Sequence, residues 1–312
     1  MLSENQTSIR EFILVGFYNP PGVQIFLLIL FLLVYILTIA GNIMIITIVQ
    51  LQQQLHTPMY LFLNHLALIE IGHMTNTTPK MLVDFIKEKK VISFVGCFTQ
   101  LYFNLFLGLT ENFLLVLMAY DRYLAICNPL NYTILMNSRT CRNLSLGCWV
   151  GGLLAPLSPT IMLCKLPFCG PNIINHFFCD LAPVLTLPCG NKSFTELSFF
   201  LFTCSMVLGC FSLIVVSYVN IIVTILRMPS DGGRQKAFST CTAHLIVVSI
   251  YYGSVMYMYV RPSVRDIRDS DKVVSVLYCV VTPFLNPFIY SLRNNKVHEA
   301  FKLLLAKAKA II

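Results

Sequence analysis

Seven long apolar stretches limit what this chain can fold into. Five contain no charged residue and two contain a single glutamate, and they cover residues 24–49, 58–79, 97–120, 144–164, 197–226, 237–260 and 273–292. A helix of about 20 residues crosses the roughly 30 Å hydrocarbon layer of a membrane. Strands of a membrane barrel would be about 10 residues long and would alternate polar with apolar positions. The sequence therefore predicts an all-α membrane protein, a bundle of seven transmembrane helices.

The composition leaves little material for a soluble domain. Hydrophobic residues make up 56% of the 312 residues and charged residues only 12%, about half of the charged fraction usual in soluble proteins. We divide the chain into an N-terminal segment 1–23, a helical domain 24–292 and a tail 293–312. The net charge of +8 is not gathered into a basic block, so the expected partner is the lipid bilayer and not nucleic acid.

Cysteines and one glycosylation pattern orient the bundle. Four cysteines lie in or beside loops on the N-terminal side of the membrane, namely Cys97, Cys169, Cys179 and Cys189. They indicate disulfide bonds, which persist in an oxidising exterior. A zinc site of His176 with three of these cysteines is the alternative, and an oxidising compartment disfavours it. Asn5 begins a glycosylation pattern on the same side. We predict a multi-pass plasma-membrane protein with an extracellular N-terminus and a cytoplasmic tail.

Several short motifs lie near the ends of the predicted helices. "MAYDRYLAIC" (118–127) places Asp121 and Arg122 at the cytoplasmic end of the third helix. "NPFIY" (286–290) puts a proline inside the seventh helix, where it frees a backbone carbonyl that neighbours must satisfy. The other motifs are "GN" (41–42), "SYVNI" (217–221), "LHTPMYLFL" (55–63) and "KAFSTCTAHL" (236–245). By its position alone, Arg122 is equally typical of an anchor that reaches the lipid interface.

Together these motifs resemble the rhodopsin-like G-protein-coupled receptors and, within them, the odorant receptors. The resemblance covers the whole chain, and "KAFSTC" with the four outer cysteines is particular to odorant receptors. It implies two disulfide bonds, Cys97–Cys179 and Cys169–Cys189. It also implies a receptor that binds a small, neutral, volatile organic molecule, activates a stimulatory, olfactory-type heterotrimeric G protein and raises cyclic AMP.

The resemblance further implies a switch at the cytoplasmic end of the bundle. Its residues would be Asp121, Arg122, Tyr123, Tyr218, Asn286, Pro287 and Tyr290. Many relatives pair the arginine with an acid at the base of the sixth helix, but "GGRQKAF" (232–238) contains none. Asp121 is therefore the expected partner of Arg122. The tail, with apolar residues on one face and lysines around them, is expected to form an amphipathic helix on the membrane.

Two carboxyl groups, those of Glu70 and Glu111, fall inside apolar stretches. Acids in mid-membrane usually face the protein interior and have a function. Two that lie close together repel unless one is protonated or a cation lies between them. Asn42 and Asn286 are the expected polar neighbours, and His73, one helical turn from Glu70, is another possible one. The resemblance suggests a sodium or proton site, and a protonated pair with a purely structural role is the alternative. No other cofactor or metal is predicted.

An enzyme is not expected, since the sequence has no phosphate-binding glycine loop, no HExxH motif and no plausible catalytic triad. Asn104 stands where amine receptors of the family have an aspartate, so a neutral ligand is expected. An apolar pocket with a few polar anchors is typical of such sites. The candidate lining residues are Asn104, Leu105, Gly108, Leu109, Phe199, Phe202, Thr203, Met206, Tyr252, Val255, Met256, Tyr259, Ser275 and Cys279. Each residue alone is also typical of plain helix packing.

Two other functions stay open. A transporter or channel also needs buried carboxyls, although an odd number of spans and the lack of an inverted repeat argue against one. An orphan or constitutively active receptor, without a small-molecule ligand, is the second alternative.

Overall fold

The computed structural model describes residues 9–17, 20–190, 192–260 and 269–292. In chain order its helices are α1 (Pro21–Leu51), α2 (Pro58–Ile86), α3 (Phe94–Cys127), α4 (Pro129–Leu135), α5 (Ser138–Leu154), α6 (Leu157–Cys164), α7 (Leu181–Leu185), α8 (Ser193–Leu226), α9 (Asp231–Tyr259), α10 (Asp269–Val276) and α11 (Thr282–Leu292). A short 3-10 turn, Gln53–Leu55, follows α1, and a π-helical turn, Leu277–Val281, joins α10 to α11.

Seven helical spans form one bundle, as the sequence predicted. Six are long and apolar enough to cross a membrane: α1, α3, α8, α9, the pair α5 and α6 (Ser138–Cys164), and the segment Ser270–Ile289. The seventh, α2, is less apolar because histidine, asparagine and threonine interrupt its aliphatic residues. It is 29 residues long and packs against both α1 and α3. The predicted amphipathic helix of the tail lies outside the described residues.

The side chains on the outside of the bundle fit a lipid environment. On α1, Ile25, Phe26 and Ile29 are 60%, 63% and 61% exposed. Continuous apolar surface of this kind is rare on soluble proteins. The chain is therefore a multi-pass membrane protein, in which lipid covers the faces that the other helices leave open.

A small sheet marks the end of the bundle that carries the N-terminal segment, which we call the outer end; the opposite end is the inner end. The strand β1 (Glu11–Leu14) lies between β2 (Val91–Ser93), which is antiparallel to it, and β3 (Ile173–Ile174), which is parallel. Its alternate side chains, Phe12 and Leu14, are fully buried. The N-terminal segment thus ties two outer loops together.

Disulfide bonds fix the same loops. Cys97 at the start of α3 is bonded to Cys179, and Cys169 is bonded to Cys189 within the loop between α6 and α8. Both predicted pairs are confirmed. Within the described residues, no group of three or more His, Cys, Asp or Glu side chains could hold a metal ion, and the three cysteines of the zinc alternative are bonded in disulfides.

Candidate functional site

A buried cavity of about 80 Å³ lies in the outer half of the bundle, between α3, α8 and α9 and beneath the loop helix α7. Nine of the fourteen candidate ligand residues line it: Asn104, Leu105, Gly108, Leu109, Phe202, Thr203, Met206, Val255 and Tyr259. On α3 they recur at helical spacing, which puts them on one face. The structure thus brings most of the predicted set together around one space.

The other five candidates lie elsewhere in the described structure: Phe199, Tyr252, Met256, Ser275 and Cys279. The Tyr252 hydroxyl donates to the side-chain oxygen of Asn112. The hydroxyl of Ser275 lies 3.1 Å from Nε2 of His176 in the outer loop. The remaining three pack among apolar side chains. Helical position alone did not distinguish these sites from the cavity wall.

The cavity is also lined by seven residues that were not among the predicted ligand residues: His73, Glu111, Asn112, Leu181, Val207, Tyr251 and Tyr278. Three of them were within reach of the sequence, because Asn112, Val207 and Tyr251 each lie one helical turn from a candidate. Leu181 follows the disulfide cysteine Cys179 by two residues, which is a weaker signal. His73 on α2 lies one turn from Glu70, and Tyr278 on the seventh span lies one turn from the candidate Ser275, so the helical period points to both of them as well.

Asp180 connects the residues that form the roof of the cavity, namely Leu181, Tyr259 and Tyr278. It caps α7, and its Oδ1 accepts hydrogen bonds from the backbone N–H of Leu181 at 2.8 Å and from the hydroxyl of Tyr259 at 2.7 Å. Its Oδ2 lies 3.4 Å from the hydroxyl of Tyr278. Burial raises the pKa of the Asp180 carboxyl to about 6, although these hydrogen bonds act in the opposite direction. The loop is thereby bonded to both α9 and the seventh span.

His176 anchors the same loop on the other side. Its ring is buried, stacks on Phe177 with centroids 4.7 Å apart and meets Phe178 edge-on at 4.6 Å. Burial, together with the nearby Lys272, lowers the pKa of His176 to about 3. The imidazole is therefore neutral at physiological pH and acts here as a packed, hydrogen-bonded group.

The two buried carboxyls lie below the cavity. Asn286 donates a hydrogen bond from its side-chain amide to Oε1 of Glu70. Oε2 of Glu111 lies 3.5 Å from Nε2 of His73. The second oxygens, Oε2 of Glu70 and Oε1 of Glu111, have no hydrogen-bond partner among the described residues. Since Glu111 and His73 also line the cavity, the carboxyl pair connects it with the "NPFIY" segment.

Asn42, the other expected neighbour of the carboxyls, bonds elsewhere. Its side-chain amide donates to the backbone carbonyls of Thr38 at 3.0 Å and of Pro283 at 3.4 Å. Pro283 lies four residues before Pro287, so its carbonyl is the one that the missing N–H of Pro287 leaves free. Asn42 therefore belongs to the proline bend of α11, and Asn286 joins that bend to Glu70.

A compact polar group lies at the inner end of α3. Arg122 donates to Oδ2 of Asp121 at 2.7 Å, and the hydroxyl of Tyr132 on α4 donates to Oδ1 at 2.8 Å. Asp121 and Arg122 are both buried. Burial and the neighbouring Asp121 raise the pKa of Tyr132, which keeps its hydroxyl a donor. Asp121 is thus held by two partners, of which sequence reasoning identified only Arg122.

The fifth and sixth spans meet at the same level. The hydroxyl of Tyr218 on α8 lies 2.7 Å from Nδ1 of His244 on α9, and their rings stack with centroids 5.8 Å apart. His244 ends the "KAFSTCTAHL" motif and was not among the predicted switch residues. Tyr123 is half-buried against the central core. The side chain of Tyr290 and residue Asn5 lie outside the described part of the chain.

A bundle of seven membrane helices with a disulfide-tied loop over a buried cavity, and an Asp-Arg pair at its inner end, defines the class of G-protein-coupled receptors. Comparison with known proteins identifies the family within this class. Residues 31–308 match the olfactory receptor family. Human olfactory receptors 6N1 and 10A7 are each 49% identical to this chain, over 298 and 302 residues, and cover 96% and 97% of it, with 96% of each relative matched. Mouse olfactory receptor 5G9 is 46% identical over 312 residues, which are 100% of this chain and 99% of that receptor. The chain belongs to the olfactory receptor family and has the function of an odorant receptor.

Proposed function

We propose that this receptor binds a small, neutral, volatile organic molecule in the outer cavity. The observation that carries the proposal is the lining itself, which is largely aliphatic and aromatic and contains no Lys or Arg among the described residues. Its single acid, Glu111, already faces His73 at 3.5 Å. The cavity of about 80 Å³ is smaller than the engineered cavity of roughly 150 Å³ that takes up benzene in another protein, so it suits only a small ligand and its wall must widen around one.

The proposed output is activation of a stimulatory, olfactory-type heterotrimeric G protein, which raises cyclic AMP. A ligand that contacts α3, α8 and α9 together favours the arrangement of these helices that fits it best, and so shifts the population of states. At the inner end the same helices carry Arg122, Tyr218 and His244. Outward movement of α9 would part Tyr218 from His244 and open a cleft, in which Arg122 leaves Asp121 and meets the G protein.

The proposed setting is the plasma membrane, with the outer end extracellular and the tail cytoplasmic. The support is chemical, because disulfide bonds persist in the oxidising exterior and both lie at the outer end. The partners are then an odorant from outside, a G protein from inside and the surrounding bilayer.

A sodium ion or a shared proton at Glu70 and Glu111 is part of the proposal. Each carboxyl keeps one oxygen without a hydrogen-bond partner among the described residues, and carboxylate oxygens suit a hard cation. Glu111→Gln keeps the shape and removes the charge. We expect it to change basal activity and any effect of sodium on it; a variant that matches the parent in both would leave only the structural role.

The test is a cyclic AMP reporter in cells that display the full-length receptor, exposed to a broad panel of odorants. We expect a response to some neutral members and none in Arg122→Ala at equal surface display. Ion or solute flux on odorant addition without cyclic AMP would favour a channel or transporter instead. High cyclic AMP that no odorant changes would favour a constitutively active receptor.

A further inference from the structure

The two tyrosines in the roof of the cavity use their hydroxyl protons inside the protein. The hydroxyl of Tyr259 donates to Oδ1 of Asp180 at 2.7 Å. The oxygen of Tyr278 lies 3.0 Å from that of Tyr259 and 3.4 Å from Oδ2 of Asp180, so its proton has a partner within the same group. A phenolic oxygen has one proton to donate and lone pairs to accept with. Toward a ligand, both tyrosines can therefore act only as acceptors.

A third acceptor lies across the cavity on α3. The side chain of Asn104 is 6% exposed and lines the same space as Tyr259 and Tyr278. Its Oδ1 makes no hydrogen bond of normal length among the described residues, although the imidazole of His73 lies close enough to interact with its side chain. A buried acceptor without a partner is costly, and a ligand that donates a hydrogen bond to it removes that cost.

The wall also contains donors, namely the imidazole of His73, whose ring nitrogens have no hydrogen-bond partner among the described residues, and the side-chain amide nitrogen of Asn104. Asn112 donates from Nδ2 to the carbonyl of Met206 at 3.2 Å, and Tyr251 donates to the carbonyl of Gly108 at 2.7 Å. The hydroxyl of Thr203 can donate or accept a hydrogen bond, so it favours neither kind of ligand. The wall thus offers acceptors at two places, the roof and α3, while two of its donors are already bonded within the protein.

We propose that this cavity selects neutral ligands that carry a hydroxyl group, alcohols and phenols, over ethers and carbonyl compounds of the same size. The inference rests on the proposed function and specifies the class of odorant. An ether or aldehyde can pair only with the donors of the wall and leaves its acceptors unpaired, whereas a hydroxyl can accept from a donor and also donate to Asn104 or to a roof tyrosine. Sites built to pair with a hydroxyl discriminate strongly against analogues that lack it.

The test uses isomeric pairs that differ only in the donor: hexanol with methyl pentyl ether, cresol with anisole, and further straight, branched and aromatic pairs, with hexanal as a carbonyl probe. In the full-length receptor we expect each active alcohol or phenol to have a half-maximal concentration at least about tenfold below that of its ether. Asn104→Leu and Tyr278→Phe should each reduce this ratio toward one. Tyr257→Phe, which removes the hydroxyl of an exposed tyrosine on the same helix α9 as Tyr259, should leave it unchanged.

The outcomes separate this inference from the proposed function. Ethers or hexanal that act as well as the alcohols overturn the selectivity and leave the receptor an odorant receptor. An unchanged ratio in a displayed Asn104→Leu and in a displayed Tyr278→Phe overturns the assignment of the acceptors. A displayed receptor whose cyclic AMP no member of the panel changes contradicts the proposed function, and the selectivity with it.

Discussion

The side-chain amide of Asn42 donates a hydrogen bond to the backbone carbonyl of Pro283, 3.4 Å away on another span. That carbonyl has lost its helical partner to Pro287. Asn42→Leu would leave it buried and unpaired, at a cost of about 1–3 kcal/mol. We expect a lower melting temperature for the purified variant in detergent. Asn220→Leu, at an exposed asparagine that bonds only within α8, is the control and should melt close to the parent.

The contact between α5 and α3 depends on Gly152. A Cβ atom there would lie 2.9 Å from the backbone nitrogen of Thr110 and would also overlap its hydroxyl. Gly152→Ala should therefore push the helices apart and cost about 1–3 kcal/mol, as overpacking usually does. Gly209→Ala meets no atom within 4 Å and should be neutral or slightly stabilising. Thermal unfolding of the two variants measures the difference, and equal melting temperatures would refute the close contact.

The polar group at the inner end predicts opposite effects for its two charged members. Arg122→Ala should abolish cyclic AMP output while surface display and ligand binding persist. Asp121→Asn should raise the ligand-free signal, because a hydrogen bond to a charged group contributes about 1.5–3 kcal/mol and its loss shifts a two-state population by roughly tenfold or more. Tyr132→Phe removes only one bond to Asp121 and should raise the signal less. Signalling at parental strength by a displayed Arg122→Ala would exclude the switch.

The disulfide bond between Cys97 and Cys179 should be required for the receptor to reach the cell surface. It holds the loop that contains His176 and Asp180 over the cavity, and removing a native disulfide costs about 2–5 kcal/mol. We expect Cys97→Ser and Cys179→Ser to lose surface display, measured by antibody on intact cells. Cys164→Ser changes a free cysteine near the same end and should be displayed normally. Equal display of all three variants would contradict the requirement.

The buried carboxyl of Asp180 predicts a dependence of stability on pH. Its pKa is about 6 in the folded receptor against an ordinary 3.8, so the folded state holds the proton more tightly than the unfolded state. The resulting stabilisation is present below the ordinary pKa and is lost as the pH rises through about 4 to 6. Relative to the parent, Asp180→Asn should gain up to about 3 kcal/mol between acidic and neutral pH. A melting-temperature difference that stays constant over this range would rule the shift out.

Much of the architecture follows from local sequence. The seven apolar stretches are long enough to demand helices in a membrane, whatever they pack against, because backbone groups must be paired inside the segment. The pairing of Cys97 with Cys179 and of Cys169 with Cys189 was predicted from the resemblance of the chain to odorant receptors. On α3, the helical period alone predicted that Asn104, Gly108 and their neighbours share the face that lines the cavity.

Partners across helices were decided by the tertiary structure. Asn42 was expected beside the carboxyls, but it bonds to the carbonyl that Pro287 frees, while His73 pairs with Glu111. Asp180, at the start of α7, bonds to Tyr259 and lies 3.4 Å from the hydroxyl of Tyr278, and these two tyrosines come from other spans. The physical reason is that the helical period fixes which residues share a face, whereas the rotation, tilt and bend of each helix depend on its neighbours. The sequence by itself determined seven membrane helices and the residues on their faces; the packing of those helices decided which faces meet, and with them the chemistry of the cavity.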